Sequence, residues 1–282
     1  MHNIRKIIIL IALITLWQQE FLSAQNFRGK SVPETIIIEP ADKKLNTNEE
    51  LTYSLQWLGF PIGKLVLKVQ GLEMIQGNSC YHIRVRIFPN SFFRRFYDLE
   101  YIVDTFLDEK SLITRRFTKE RRLGKEKNFQ IIDFNYEKLT AHVSVTGSNK
   151  IVDISPDREN LQGQIPATTK IAPDSQDLFS SLYYFRLQDI QPDSSYPVTI
   201  YYDNRNWKLN FITGKPFLRE VRKKGSIPLV RVKVESELIR YIVGDRNIFA
   251  YVMTNAKRVP FEFRLNTSIG LIKGRLHHSS FP

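Results

Sequence analysis

The acidic residues Asp98, Glu100, Asp104 and Asp108 fall near one another in the sequence. Glycoside cleavage requires two carboxyl groups at a set separation, one acid and one base or nucleophile. Asp98, Glu100 and Asp104 share strand parity, so one face of a strand would carry all three. Arg94, Arg95, Arg115 and Arg116 lie close by in the chain. Ion pairing on a sheet face accounts for the same carboxylates more simply than catalysis does.

Other chemistries find fewer parts. Cys80 is the single cysteine, and His82 lies two residues along the same strand pattern, so the two side chains point the same way. A thiol nucleophile needs a positioned histidine and a group to orient it, and nothing marks the third member. There is no G-x-S-x-G elbow, and Ser180-Ser181 falls inside a helical pattern. No HExxH motif, cysteine pair or Asp-rich calcium loop is present. His82 and His142 read as solvent-facing strand residues, and His277-His278 as a frayed end. No Gly-rich phosphate loop leads into a helix. The expectation is no catalytic set, no metal and no cofactor.

Two stretches interleave aromatic and basic residues, Asn90–Tyr97 and Tyr201–Trp207. Aromatic rings beside arginine stack on sugars or sit at a lipid interface. The candidate ligand-binding residues are therefore Phe92, Phe93, Arg94, Arg95, Tyr97, Tyr201, Arg205 and Trp207. The competing reading makes both stretches loops pinned to the core by their rings.

These residues must be held mostly by strands. Leu51, Tyr53, Leu55 and Trp57 alternate with polar residues, as do Leu65, Leu67 and Val69, and Tyr81, Ile83, Val85 and Ile87. Residues 115–127 read as a charged hairpin around Gly124. Tyr196 to Tyr202 and Trp207 to Phe211 flank a loop at Asp203–Asn206, and further alternation runs from Val230 to Leu271. About a dozen strands are too many for one comfortable open sheet. The fold class is mainly β: a large antiparallel barrel or two-sheet barrel-like fold, with one central helix between two runs of strands.

That helix is DSQDLFSSLYYFRLQ, Asp174–Gln188. Leu178, Phe179, Leu182, Tyr183 and Phe185 form its apolar face, with Asp174 or Ser175 expected as N-cap. Arg186 sits near its C-terminus, where a cation suits the dipole. The face is expected to be buried against the sheet; the alternative is a mobile lid. Residues 155–173 read as a linker, so linker and helix together span 155–190.

Residues 1–24 read as a signal peptide: Arg5-Lys6, an apolar run from Ile7 to Trp17, and Leu22-Ser23-Ala24 before Gln25. No cysteine lies near that cut, which argues against a lipoprotein. Residues 25–47 read as a flexible lead-in, with Ile36-Ile37-Ile38 as a candidate edge strand, and 48–282 as a single β-rich domain. Lysine and arginine number 41 against 29 acids, a net charge of +12. A basic exported chain meets anionic lipid or acidic polysaccharide, and export argues against nucleic acid.

Three segments, taken in order, resemble an exported family, domain of unknown function 3108. Tyr53, Trp57, Gly59, Pro61 and Gly63 match its first motif. Asp177, Ser180, Tyr183 (or Tyr184) and Arg186 match its central helix, and Thr254, Arg258 and Pro260 its last motif before a glycine-containing strand. Ala256 stands where the family pattern carries Asp, which argues against an acid doing chemistry there. The resemblance spans about residues 48–277. It implies a β-rich, barrel-like protein of the periplasm or outer membrane, and carries no reaction with it.

The sequence reading is thus a non-catalytic exported protein of the Gram-negative periplasm that binds or chaperones a lipid or an anionic glycan, with peripheral membrane contact. The rivals are a glycan hydrolase using the carboxylates of 98–108 and a structural partner in an envelope assembly. The oligomeric state is left open.

Overall fold

The computed structural model describes residues 36–147, 168–221, 225–243, 248–267 and 270–280. Residues 1–24, read above as a signal peptide, the start of the segment read as a lead-in and most of that read as a linker lie outside the described residues. Fourteen strands run in chain order: β1 (Glu50–Trp57), β2 (Phe60–Ile75), β3 (Asn78–Pro89), β4 (Leu99–Asp108), β5 (Thr114–Leu123), β6 (Glu126–Asn135), β7 (Thr140–Gly147), β8 (Thr168–Lys170), β9 (Ser195–Tyr202), β10 (Arg205–Val221), β11 (Gly225–Ser236), β12 (Ile248–Met253), β13 (Pro260–Thr267) and β14 (Gly270–Ser280). The described helices are α1 (Ser91–Arg94), α2 (Leu178–Arg186) and α3 (Glu237–Val243).

The strands form one antiparallel sheet in the order β8-β7-β6-β5-β4-β3-β2-β1-β14-β13-β12-β11-β10-β9. Each run is a meander of hairpins, and the two runs meet where the first strand pairs with the last, Glu50↔Ser280 through Trp57↔Ile272. His277 and His278 are therefore strand residues, with His278 opposite Thr52, and not a frayed end. Tight turns set the register. Leu58 and Gly59 have φ of 50° and 90°, Gln76 and Gly77 50° and 77°, and Asp203 and Asn204 52° and 60°. Such left-handed pairs match the twist of hairpin strands.

The alternation works as the physics of a half-buried sheet requires. On β2, Leu65, Leu67 and Val69 are buried while Lys64 and Gln70 are exposed. The inward residues pack with α2. Phe185 joins Val198, Ile200, Leu209, Phe211, Val230 and Val232 in one cluster. Tyr183 and Leu187 join Val69, Tyr81, Ile83 and Leu107 in another.

The strand ladder does not close between β8 and β9; the chain leading into α2 spans that seam. Gln176 forms a parallel bridge with Ile200, its N–H donating to Thr199 O at 2.8 Å and its carbonyl accepting from Tyr201 N at 2.8 Å. Asn206 accepts from Ala172 N at 3.0 Å and donates to Lys170 O at 3.1 Å. Tyr201 bonds Thr169 through its hydroxyl and sets its ring against Phe134, centroids 5.5 Å apart. The seam thus leaves no bare edge at these positions, which suits a fold with two terminal strands to protect.

Two expectations change here. The Ile36–Ile38 run is not a strand; Glu39 N and Asp42 N bond Thr254 O and Ala256 O, with Ala41 and Leu45 buried. The helix starts later than the Asp174 or Ser175 cap implies: Asp177 is its N-cap, accepting from Phe179 N and Ser180 N while Ser180 Oγ accepts from Asp177 N. Asp174 and Ser175 are spent on the seam, where Thr199 donates to Asp174 and Asn206 accepts from Ser175 Oγ.

Candidate functional site

The three motif segments of the sequence converge on one buried joint. Arg186, 4 % exposed, meets Glu49 in a two-pronged pair, Nη1–Oε1 and Nη2–Oε2 both at 2.7 Å. Its Nε and Nη2 also donate to Lys257 O at 3.2 and 3.1 Å, and its guanidinium lies 4.9 Å over the Tyr183 ring. Tyr53 donates to Pro260 O at 2.7 Å. Arg258, fully buried with φ of 49°, donates to Gln188 O and Glu39 O at 2.9 and 2.6 Å. At the helix start, Thr105 and Thr114 donate to Asp177, and Thr114 bonds Ser180 at 2.6 Å. The partners come from separate segments, so the joint ties α2 to Glu49 before β1, to Thr105 of β4, to Thr114 of β5 and to Lys257 in the Thr254–Pro260 loop.

Two motif glycines have a steric cause. A Cβ on Gly63 would stand 2.3 Å from Phe88 O, and one on Gly274 2.1 Å from the Phe263 ring. At Gly63 the obstacle is backbone and at Gly274 it is a side-chain ring.

A family model for Protein of unknown function (DUF3108) matches residues 52–277. The chain belongs to this family. Of the matched motif residues, Tyr53, Asp177, Ser180, Arg186, Arg258 and Pro260 take part in the buried joint. A similar solved structure is the crystal structure of a β-barrel-like protein of domain of unknown function DUF1849 from Brucella abortus. It superposes with a TM-score of 0.52 at 12 % identity, covering 83 % of this chain and 97 % of that one. That likeness supports the β-barrel-like fold. No curated protein matches the chain.

The carboxylates of 98–108 are occupied. Asp104 accepts from Arg84 Nε and His82 Nε2, both at 2.7 Å; Glu100 accepts from Arg86 at 2.6 Å; Asp108 accepts from Arg115 at 2.9 Å and from the Lys110 and Ser111 N–H groups. Burial alone would raise Asp104 and Asp108; their hydrogen bonds outweigh it and hold both below the usual carboxylate range. A general acid needs the opposite shift. His82 is not solvent-facing: it lies between Asp104 and Glu73, 2.5 Å from the latter, and stacks on Phe106. Cys80 is fully buried with Ile75 and Phe106, and burial pushes its thiol up to about 11, the reverse of an activated nucleophile. Among the described residues no group of three or more His, Cys, Asp or Glu could hold a metal ion.

The eight candidate ligand residues divide. Tyr201 is 3 % exposed and serves the seam. Trp207 is half-buried against Tyr241 and donates to Tyr202 O at 2.9 Å; Arg205 is exposed. Their stretch is a hairpin pinned to the core. The other five stand together on the β3–β4 connection. Phe92, Arg94, Arg95 and Tyr97 are exposed and Phe93 is half-buried. Phe92 contacts Phe93 and Phe96 at 5.3 and 5.5 Å between centroids.

Asn90 fixes this loop. Its Oδ1 caps α1 through Phe93 N, its Nδ2 donates to Pro61 O at 2.6 Å, and its N–H donates to Ile62 O. The β1–β2 turn is thereby held beside it, and Gly124 N bonding Asp98 O brings in the β5–β6 turn. Leu58, Phe60, Phe92, Phe96 and Tyr97, each 46 % exposed or more, gather at this end. Lys64, Arg94, Arg95, Lys125 and Lys127, on the same three connections or the strands beside them, are exposed cations, against exposed Asp98, which pairs with Arg94, and Glu126. Sequence reading missed Leu58, Phe60 and Phe96, although an apolar pair flanking Gly59 in a hairpin turn is a readable signal.

Proposed function

We propose that this protein is an exported, non-catalytic β-barrel-like protein that rests on an anionic lipid surface of the cell envelope. The contact is made through the end built by the β1–β2 turn, the β3–β4 connection and the β5–β6 turn. The observation that carries this reading is the group of five large apolar side chains exposed at one end of the sheet, with exposed cations on the same connections or the strands beside them. Exposed apolar patches rimmed by polar residues mark interaction surfaces. At a bilayer, rings enter the headgroup boundary while each Lys or Arg near an anionic surface contributes about 1 kcal/mol. The basic balance of the chain favours the same partner. The basic-terminated apolar run of residues 1–17 supports export to the periplasm.

Co-sedimentation with vesicles tests the reading. Binding to phosphatidylglycerol vesicles is expected, with little binding to phosphatidylcholine and a fall with added salt. Phe92→Ser/Phe96→Ser and Arg94→Gln/Arg95→Gln should each weaken it at least tenfold without changing the melting temperature. Equal binding by wild type and both variants, or retention on an acidic polysaccharide with none on vesicles, would overturn the lipid reading. The hydrolase rival predicts that Asp104→Asn in folded protein abolishes function; here it leaves vesicle binding intact.

A further inference from the structure

A second cluster lies on β10 and β12–β14, with β14 running beside β1. Glu262 is completely buried and accepts from three arginines: Arg264 Nε at 2.7 Å, Arg275 Nε and Nη2 at 3.1 and 2.9 Å, and Arg219 Nη2 at 3.2 Å. Arg219 and Arg264 both stack on the Tyr251 ring, 5.2 and 5.1 Å from its centre. Lys273 stands opposite Arg264 in the β13–β14 register. Three arginines thus share one carboxylate, with Lys273 beside them.

This arrangement holds more positive charge than fold stability asks for. One arginine would satisfy a buried carboxylate; two more, plus a lysine, repel each other. The surplus is visible on Lys273, whose pKa is lowered by burial and by the neighbouring arginines, Arg275 foremost. Burial would raise Glu262, but its arginine bonds win and keep it ionised. The guanidinium groups are also fixed in place, by the carboxylate beneath and the tyrosine ring beside them. Each carries five N–H donors, of which Glu262 takes one or two. Arg219 Nη1 is buried with no hydrogen-bond partner among the described residues. Arg264 and Arg275 remain 37 % and 46 % exposed, so an anion can reach them.

We infer that Arg219, Arg264, Lys273 and Arg275, held by Glu262 and Tyr251, form a binding site for a phosphate group. A phosphate offers several acceptor oxygens and up to two charges to converging planar forks, whereas a sugar carboxylate offers two oxygens and one charge. The same chemistry serves a phosphorylated lipid headgroup or a soluble phosphate compound. This site shares no side chain with the lipid-docking end, although β14 runs beside β1, with Lys273 opposite Gln56 and Leu58 N bonding Leu271 O.

Equilibrium dialysis with labelled pyrophosphate, in the absence of membranes, tests the inference. Wild type should bind one equivalent saturably, and acetate at equal ionic strength should not displace it. Arg264→Gln/Lys273→Gln should bind at least tenfold more weakly. Lys273→Gln alone, which leaves every hydrogen bond of Glu262 in place, should weaken binding severalfold with an unchanged melting temperature. Arg94→Gln/Arg95→Gln should bind as wild type does. No saturable binding by wild type at millimolar pyrophosphate, displacement by acetate, or wild-type affinity in Lys273→Gln and the double variant would overturn it. Displacement of bound pyrophosphate by phosphatidate but not phosphatidylcholine vesicles assigns the site to a lipid headgroup; failure of both to displace it assigns the site to soluble phosphates.

Discussion

Arg186 on α2 and Glu49 beside β1 form a two-pronged ion pair with both side chains under 5 % exposed, 137 residues apart in the chain. A cation near a helix C-terminus is ordinarily a surface group stabilised a little by the dipole. Here it is the bolt between helix and sheet. Arg186→Met leaves Glu49 buried and unpaired, which costs about 3–5 kcal/mol. The double change Arg186→Met/Glu49→Leu should recover much of that loss. Urea unfolding of the three proteins checks it: a single variant within about 1 kcal/mol of wild type would show that the pair is not holding the joint.

The burial of α2 orders its aromatic residues. Tyr183 and Phe185 are 0 % and 2 % exposed, while Phe179 and Leu182 are half-buried. Phe185 stacks on Phe211 at 4.5 Å. Phe185→Ala should cost about 3–5 kcal/mol, and Phe179→Ala and Leu182→Ala visibly less. Thermal melts rank them. A mobile lid would instead give melting points near wild type for all three.

Gly63 and Gly274 should differ in how they tolerate alanine. At Gly63 the obstacle is the backbone carbonyl of Phe88, which cannot move without breaking the β2–β3 pairing. At Gly274 it is the Phe263 ring, which can turn. Overpacking costs about 1–3 kcal/mol, with Gly63→Ala expected at or above the top of that range and Gly274→Ala nearer the bottom. Phe263→Leu should make Gly274→Ala milder and leave Gly63→Ala unchanged, as chemical denaturation of the two double variants would show.

His82 gives stability a pH dependence. Burial would lower its pKa, but bonds to Asp104 and Glu73 outweigh that and raise it. The folded protein therefore holds the proton more tightly than the unfolded chain. The stabilisation is complete below the unfolded value of about 6.5 and is lost as pH rises through the raised folded value. His82→Gln should flatten the melting-temperature profile across that window. An equally steep decline in the variant would assign the dependence to another group.

Cys80 should resist thiol reagents in the folded state, since it is buried and its pKa is pushed up to about 11. Cys80→Ser places a hydroxyl in the pocket of Ile75 and Phe106 and should cost about 1–3 kcal/mol. Rapid labelling of native protein at neutral pH would contradict the burial.

Alternation of apolar and polar residues determined the strands, and strand number determined that the sheet must curl; both are local and composition-driven, so both were legible. The short aromatic-basic connection at 90–98 was legible for the same reason, because it breaks the alternation. The three motif segments also marked themselves, but not their purpose. That Arg186 would find Glu49, or that Arg219, Arg264 and Arg275 would find Glu262, depends on which strands become neighbours after the chain has doubled back. The pairing of β1 with β14 places the first and last strands side by side, and no spacing in the sequence encodes it. The same holds for Glu100, Asp104 and Asp108: their parity is written in the chain, but their arginine partners come from facing strands, whereas Asp98 pairs locally with Arg94. Glu100, Asp104 and Asp108 are paired with arginines across the sheet. Burial and partnership are properties of the register, and only the tertiary structure decides the register.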